Sequence, residues 1–102
     1  MLKTLEDLIN IIRDRKNSSP DKSYTKKLLE DKSLSTEKVK EEISELIEAV
    51  KKNSNKIHEA ADVLYHLFVY LEANGVKIED VMEELNKRKK WVTMIIIFLQ
   101  KF

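Results

Sequence analysis

A chain of 102 residues with 19 Lys and Arg against 18 Asp and Glu has a formal net charge of +1 at pH 7, so composition gives no electrostatic reason to expect nucleic acid as a partner. It contains no Cys, which excludes disulfides and thiolate chemistry and agrees with a reducing cytoplasm. One Gly and one Pro among abundant Leu, Ile, Glu and Lys predict a single all-α domain with no separate cofactor-binding domain.

Apolar periodicity and turn-forming residues predict about five helices. Met1–Leu8 lacks the layout of a secretion signal, and we expect it to belong to the first helix, which Asn17–Pro20 ends. Ser35 is the predicted N-cap of the third helix, and Asn74–Gly75 is the predicted left-handed stop of the fourth. The predicted ranges are the amino terminus to about 16, then 22–31, 36–52, 56–73 and 78–90.

The third and fourth helices each carry an acidic pair, Glu42-x-x-Glu45 and Glu59-x-x-Asp62. Residues three apart lie on one helix face, so each pair presents two oxygen ligands in one direction. The polar segment Lys51–Asn55 predicts the loop of an antiparallel hairpin, which would bring the two pairs level with each other. Four carboxylates without Cys or clustered His predict a site for Mg²⁺, with Mn²⁺ as the alternative, rather than for zinc or copper.

The competing interpretation of such pairs is a solvated helix face covered with ion pairs. Glu48 fits that interpretation, because Lys51 and Lys52 follow it at three and four residues. Glu45 does not fit it, because its own helix places no basic residue three or four positions away. We therefore expect its charge to be compensated from outside that helix.

The second pair overlaps the apolar run 60–71, which is typical of a buried central helix. Asp62 lies within this run, and a buried ionised carboxylate must be paired, protonated or bound to metal. His66 continues the polar stripe of Glu59 and Asp62, and we expect it to support a ligand rather than to bind the ion. His58, at the edge of the loop, receives no predicted role.

The carboxyl-terminal tail is strongly apolar. Trp91–Leu99 is far shorter than the roughly 20 residues that span a bilayer. We expect this tail to be a terminal helix or extended segment buried against the bundle or a partner subunit, with peripheral membrane contact after Lys87–Lys90 as the alternative. The predicted division is a helical domain over 1–90 and an apolar extension over 91–102.

The apolar side of the third helix is predicted to face inward. The residues on that side are Val39, Ile43, Leu46, Ile47 and Val50.

Three segments, Ser23–Leu29, Lys38–Leu46 and Glu59–Leu67, resemble the phosphoribosyl-ATP pyrophosphohydrolases in order and spacing. The resemblance covers about residues 2–90. The acidic pairs alone mark the wider MazG-like superfamily of all-α nucleotide pyrophosphohydrolases, whereas the Ser-Tyr-Thr and Ala-Ala-Asp-x-Leu-Tyr-His sequences narrow it to this family. Two features depart from the family pattern: Lys40 stands where Gly is common, and the apolar tail is an addition.

The resemblance implies a cytoplasmic, Mg²⁺-dependent enzyme that hydrolyses phosphoribosyl-ATP to phosphoribosyl-AMP and pyrophosphate, the second step of histidine biosynthesis. It also implies that the four carboxylates hold the metal and that subunits pair into homodimers or larger assemblies. Glu41 is the candidate for orienting or deprotonating the attacking water. The candidates for binding the nucleotide substrate are Tyr24, Lys26, Lys27, Lys51 and Arg88.

Two other functions remain open from the sequence. A house-cleaning relative with the same fold and chemistry would act on non-standard or deoxynucleoside triphosphates. A helical interaction module without catalytic activity would use the apolar tail to contact a partner. Pyrophosphate release separates the first from the main hypothesis, and metal-dependent stabilisation separates the second.

Overall fold

The computed structural model describes the backbone of residues 2–19, 21 and 23–100, and the side chains of these as far as Lys89. All the regular structure in these residues is helical, which confirms the predicted all-α class and the bundle of five helices. The helices are α1 (Leu2–Asp14), α2 (Tyr24–Glu30), α3 (Lys32–Lys52), α4 (Lys56–Ala73) and α5 (Ile78–Gln100), with a 3₁₀ turn over Arg15–Asn17.

The centre of the fold is the hairpin of α3 and α4, which share the most extensive contact in the described part of the chain. Asn53 ends α3 in the left-handed conformation, with φ of 53°, and its N–H donates to the carbonyls of Ala49 and Val50. Asn55, with φ of 57°, precedes α4. Asparagine tolerates this conformation better than most residues, so the short loop reverses the chain as the sequence predicted.

The hydrophobic core lies around the second half of α4, where α1, α2 and the start of α5 pack against it. Its buried members are Ile12, Leu28, Phe68, Val69 and Ile78.

A group of ion pairs lies beside this core. The guanidinium of Arg13 on α1 donates to Glu79 on α5, with an Nη1–Oε2 distance of 2.8 Å, and its Nε lies 3.6 Å from Glu72 on α4. Lys16 Nζ lies 2.5 Å from the other oxygen of Glu72. These contacts connect three helices around two carboxylates.

Two predicted helix starts differ from the structure. The Asp31 side chain accepts a hydrogen bond from the Leu34 N–H at 3.0 Å, so α3 begins at Lys32. Ser35 is therefore a buried residue inside the helix, and its prediction as the N-cap was wrong. Ser23 caps α2 by accepting from the Lys26 N–H at 3.2 Å, which shortens that helix at its start.

Some of the predicted carboxyl-terminal helix ends are confirmed by the structure, and others differ from it. Gly75, with φ of 72°, follows α4 as predicted. The α-helical part of α1 ends at Asp14, two residues before the predicted end, because the chain tightens into the 3₁₀ turn. The helix α5 continues past its predicted end at Lys90 as far as Gln100. The predicted burial of the tail concerns side chains outside those that the structure describes, and no helix among the described residues is long and apolar enough to cross a membrane.

The predicted inward face of α3 is only partly buried. Val39 is buried and Leu46 is half-buried. Ile43, Ile47 and Val50 remain 43–57% exposed, and these three residues are called the α3 apolar stripe below. The single chain thus leaves one apolar strip of its central hairpin uncovered.

Candidate metal centre between α3 and α4

The hairpin brings the two acidic pairs together. One oxygen from each of Glu42, Glu45 and Glu59 lies within 4.8 Å of the others, so α3 and α4 both contribute to one cluster. Glu59 also belongs to a second group with Asp62 and His58, whose ligand atoms satisfy the same limit. Because Glu59 is shared, the two groups form one continuous site, called the acidic cluster below.

Two oxygens of this cluster are buried without a hydrogen-bond donor. They are Oε2 of Glu42 and Oε2 of Glu59, and neither has a hydrogen-bond partner among the described residues. A buried carboxylate oxygen left in this way destabilises the fold, because it loses its hydration without replacement. A divalent cation with oxygen ligands would satisfy both atoms, so the residues present fit a Mg²⁺ site.

The pKa values of Glu42 and Glu59 are raised within this cluster. Burial, and after it the Glu45 carboxylate, raises the pKa of Glu42 above its ordinary value. The same two causes in the same order raise the pKa of Glu59. A positive charge on His66 works against the shift at Glu42, and one on His58 works against it at Glu59. The cluster therefore gathers negative charge that the surrounding side chains only partly offset.

Asp62 differs from its prediction. Its side chain is 37% exposed rather than buried, because its carboxylate points to the rim of the cluster, where Oδ2 lies 3.3 Å from Nε2 of His58. His58 had no predicted role, although its position four residues before Asp62 was the signal that the two side chains could meet.

His66 is buried below the cluster with both ring nitrogens occupied. Nδ1 donates to the backbone oxygen of Asp62 at 2.9 Å, so the neutral ring accepts at Nε2, 3.3 Å from the Tyr24 hydroxyl. The ring of Tyr65 meets the imidazole edge to face at 4.9 Å, and its hydroxyl bonds to Thr25. With neither nitrogen free, His66 is arranged to position α4 and Tyr24. Its supporting role stays a prediction.

Glu41, the candidate base, is exposed and accepts from Lys38 Nζ at 3.3 Å. Tyr24 lies beside His66, so this candidate substrate contact is next to the cluster. Lys38 was not among the predicted substrate-binding residues, and it lies one turn before Glu42.

The predicted basic residues lie elsewhere or make other contacts. Lys26 donates to the Lys16 carbonyl and pairs with Glu30 at 3.1 Å. It lines a cleft with residues 72–75, at the opposite end of α4 from Glu59. Arg88 pairs with Glu84 at 3.0 Å on α5. Lys27 on α2 and Lys51 in the last turn of α3 are exposed. The substrate-binding roles of all four remain predictions.

The chain is similar in sequence to a known protein family. The family model described as phosphoribosyl-ATP pyrophosphohydrolase matches residues 5–89. The chain is 47% identical to the phosphoribosyl-ATP pyrophosphatase of Clostridium novyi over 94 residues, which cover 86% of this chain and 83% of that protein. It is 46% identical to the phosphoribosyl-ATP pyrophosphatase of Sulfurisphaera tokodaii over 89 residues, which cover 84% and 95%.

A third relative is a larger protein. The histidine biosynthesis trifunctional protein of Kluyveromyces lactis is 42% identical over 89 residues, which cover 87% of this chain and 11% of that protein. No solved structure matches.

Proposed function

The chain belongs to the phosphoribosyl-ATP pyrophosphohydrolase family, and we propose that it is a cytoplasmic, Mg²⁺-dependent phosphoribosyl-ATP pyrophosphohydrolase of histidine biosynthesis. The observation that carries the metal-dependent chemistry is the pair of buried, unpartnered oxygens on Glu42 and Glu59, which face each other's helices in the acidic cluster. The substrate is proposed from the relatives named phosphoribosyl-ATP pyrophosphatases, and the pathway from the relative named a histidine biosynthesis trifunctional protein.

Each carboxylate of the cluster has a defined part in this proposal. The residues that would hold Mg²⁺ are Glu42, Glu45, Glu59 and Asp62. The bound ion would neutralise phosphate oxygens that the carboxylates alone would repel, and would lower the pKa of a water. His66 fixes the backbone of Asp62 through its Nδ1 hydrogen bond, which keeps the turn carrying Glu59 and Asp62 in place.

Glu41 is the proposed base. It is solvent-accessible on α3 next to Glu42, so it can receive a proton from water without moving into the core. Water adds its oxygen to one phosphorus of the α–β anhydride, the bridging P–O bond breaks, and the products are phosphoribosyl-AMP and pyrophosphate. The proton lost by the water passes to Glu41.

Pyrophosphate release tests the substrate. We expect the purified protein with Mg²⁺ to release pyrophosphate from phosphoribosyl-ATP with a kcat/KM well above that for each of the four deoxynucleoside triphosphates. A preference for free deoxynucleotides would reject this substrate and favour the house-cleaning alternative. Absence of turnover on every nucleotide, together with no binding of Mg²⁺ by calorimetry, would favour the interaction module.

We also propose that the chain forms a homodimer through the α3 apolar stripe. Ile43, Ile47 and Val50 follow one another at helical spacing on the hairpin that carries the acidic cluster, and α4 exposes Ile57 and Leu64. A monomer would leave these side chains in water, whereas a second copy would bury them.

Sedimentation velocity tests the dimer. Ile47→Glu should shift the protein to monomer, because a charge would enter an apolar interface. Ile11→Glu is the matched control, since Ile11 is similarly exposed but lies on α1. A wild-type protein that is monomeric at all concentrations would exclude this interface.

A further inference from the structure

Lys38 is a basic side chain at the edge of the acidic cluster. It lies on α3 four residues before Glu42, and its ammonium donates to Glu41 at 3.3 Å. Its side chain is 33% exposed, against 70% for Lys40 two residues later. The Lys38 side chain is thus partly covered by the protein, whereas Lys40 extends into solvent.

Tyr24 on α2 forms the other side of this environment. Burial raises the pKa of the Tyr24 hydroxyl, and the positive charge of Lys38 is the largest effect that opposes the rise. The hydrogen bond to Glu41, followed by the charge of Glu41 and by Tyr24, raises the pKa of Lys38 above its ordinary value. The Lys38 ammonium therefore stays charged and interacts electrostatically with Glu41 on its own helix and with Tyr24 on α2.

The hydrogen-bond directions leave this ammonium available to an anion. Because Nε2 is the acceptor nitrogen of the neutral His66 ring, the Tyr24 hydroxyl donates its hydrogen bond to His66 and not to Lys38. Glu41 is exposed and occupies one direction of the ammonium, which has three donors. Lys38 can therefore keep its contact with Glu41 and still donate to a ligand at the cluster.

A polyphosphate at the acidic cluster needs such a group. Metal ions offset the carboxylates and part of the phosphate charge, but the remaining phosphoryl oxygens require donors from the protein. Lys26, which the sequence favoured, is already bonded to the Lys16 carbonyl and to Glu30 beside a different cleft. Lys38 lies next to Glu41 and Glu42, so its ammonium is placed to donate to a phosphoryl oxygen at the acidic cluster.

We propose that the Lys38 ammonium binds a non-bridging phosphoryl oxygen in the pyrophosphate portion of the substrate. This inference rests on the proposed pyrophosphohydrolase function and adds to it the residue that recognises the polyphosphate. Lys38 acts through its charge, so arginine can replace it in part and an uncharged side chain of similar length cannot.

Kinetics and binding of Lys38→Met test this role. A hydrogen bond to a charged group accounts for about 10- to 100-fold in affinity, so KM for phosphoribosyl-ATP should rise by that factor while kcat changes less than about threefold. The dissociation constant of pyrophosphate with Mg²⁺, measured by calorimetry, should rise similarly. Lys38→Arg should restore both values to within about fivefold.

Lys40→Met is the matched control, because Lys40 is on the same helix but is exposed and paired with Glu37 at 3.9 Å. It should leave both values unchanged. Lys38→Met with an unchanged KM or an unchanged pyrophosphate dissociation constant would overturn the inference. A fall in kcat at constant KM would instead assign Lys38 to positioning Glu41, and would also overturn it.

The result remains separable from the proposed function. If the wild-type protein released no pyrophosphate from phosphoribosyl-ATP, that function would fail, whereas the calorimetric titration with pyrophosphate would still decide the role of Lys38. If Lys38→Met did not fold, Lys38→Gln would provide the uncharged variant for the same two measurements.

Discussion

The acidic residues at the two ends of α4 lie in opposite electrostatic environments. Near its carboxyl end, Glu72 is mostly buried and meets Arg13 and Lys16, so each oxygen faces a cation from α1 or the turn that follows it. Near its amino end, Glu59 has a buried oxygen without any donor in the described structure and lies against Glu45. The described residues therefore neutralise the charge of Glu72 with cations, but they leave one oxygen of Glu59 on the same helix without a donor.

The pKa values follow the same division. The hydrogen bonds from Arg13 lower the pKa of Glu79, beside Glu72, to about 2. At the acidic cluster, burial and the Glu45 carboxylate instead raise the pKa of Glu42 and Glu59. In the first region the described residues supply the cations, whereas in the second the described residues leave two carboxylate oxygens without a donor. We expect the first group of acids to stabilise the fold and the second to bind a cation.

The largest expected effect comes from removing a proposed metal ligand. Glu59→Gln and Asp62→Asn should each lower the kcat/KM of pyrophosphate release by more than about 100-fold, since even residues that only support metal ligands contribute about 10- to 100-fold. In metal-free buffer the same variants should unfold at an equal or higher temperature, because they relieve repulsion. Glu48→Gln, at a glutamate paired with Lys52, is the control and should keep full activity. Wild-type turnover in the Glu59 and Asp62 variants would remove these residues from the reaction.

Metal binding itself should change stability by a smaller, measurable amount. Mg²⁺ at about 100 times its dissociation constant adds about 2.7 kcal/mol to the free energy of unfolding. For a chain of this size each kcal/mol raises Tm by about 4 to 8 °C, so the melting temperature should rise by more than about 10 °C. Glu59→Gln should abolish the rise, whereas Glu48→Gln should retain it. A melting curve that does not respond to millimolar Mg²⁺ would contradict a metal site.

Local signals accounted for most of what the sequence predicted correctly. The acidic pairs repeat at three residues, and a polar loop lies between them, so the hairpin and its carboxylate cluster followed from helix periodicity. The start of α3 was missed because Ser35 and Asp31 are both good caps, and only the folded backbone shows that the Asp31 side chain receives the bond.

Contacts between distant residues could not be predicted in this way. Arg13 and Glu79 are 66 positions apart, and nothing in either segment indicates that α1 and α5 meet there. The same limit applies to Lys38, whose neighbours Glu41 and Glu42 are local but whose pKa is also raised by Tyr24 from another helix. Sequence periodicity identified which acids share a face, whereas packing decided which cations reach them.

The compensated region gives a smaller effect with a defined pH dependence. The pKa of Glu79 is about 2 in the folded protein, below its ordinary value of 4.5. Its pair with Arg13 therefore stabilises the fold above about pH 4.5 and is lost as the pH falls towards 2. Glu79→Gln should lower Tm by a few degrees at pH 7, and the difference from wild type should close near pH 2.

Glu37→Gln is the control for this measurement, because Glu37 is exposed and only distantly paired with Lys40. Its difference from wild type should be small at every pH. A Glu79→Gln difference that stayed constant between pH 7 and 2 would show that the pair with Arg13 does not set the pKa of this carboxyl.

The smallest expected effect on Mg²⁺ binding comes from variants that test whether the acidic cluster depends on its loop as well as on its helices. Asn53 ends α3 with φ of 53°, where a β-carbon without a polar group is unfavourable by about 1 to 2 kcal/mol. Asn53→Ala should lower the free energy of unfolding by about 1 kcal/mol in urea titrations, and Asn53→Gly should leave it equal or higher. Both variants should bind Mg²⁺ as tightly as wild type if the helix packing alone holds the two acidic pairs in register. Weaker Mg²⁺ binding in Asn53→Ala than in Asn53→Gly would mean that the geometry of the loop also sets the distance between Glu45 and Glu59, and that the site depends on the turn as much as on the helix contact.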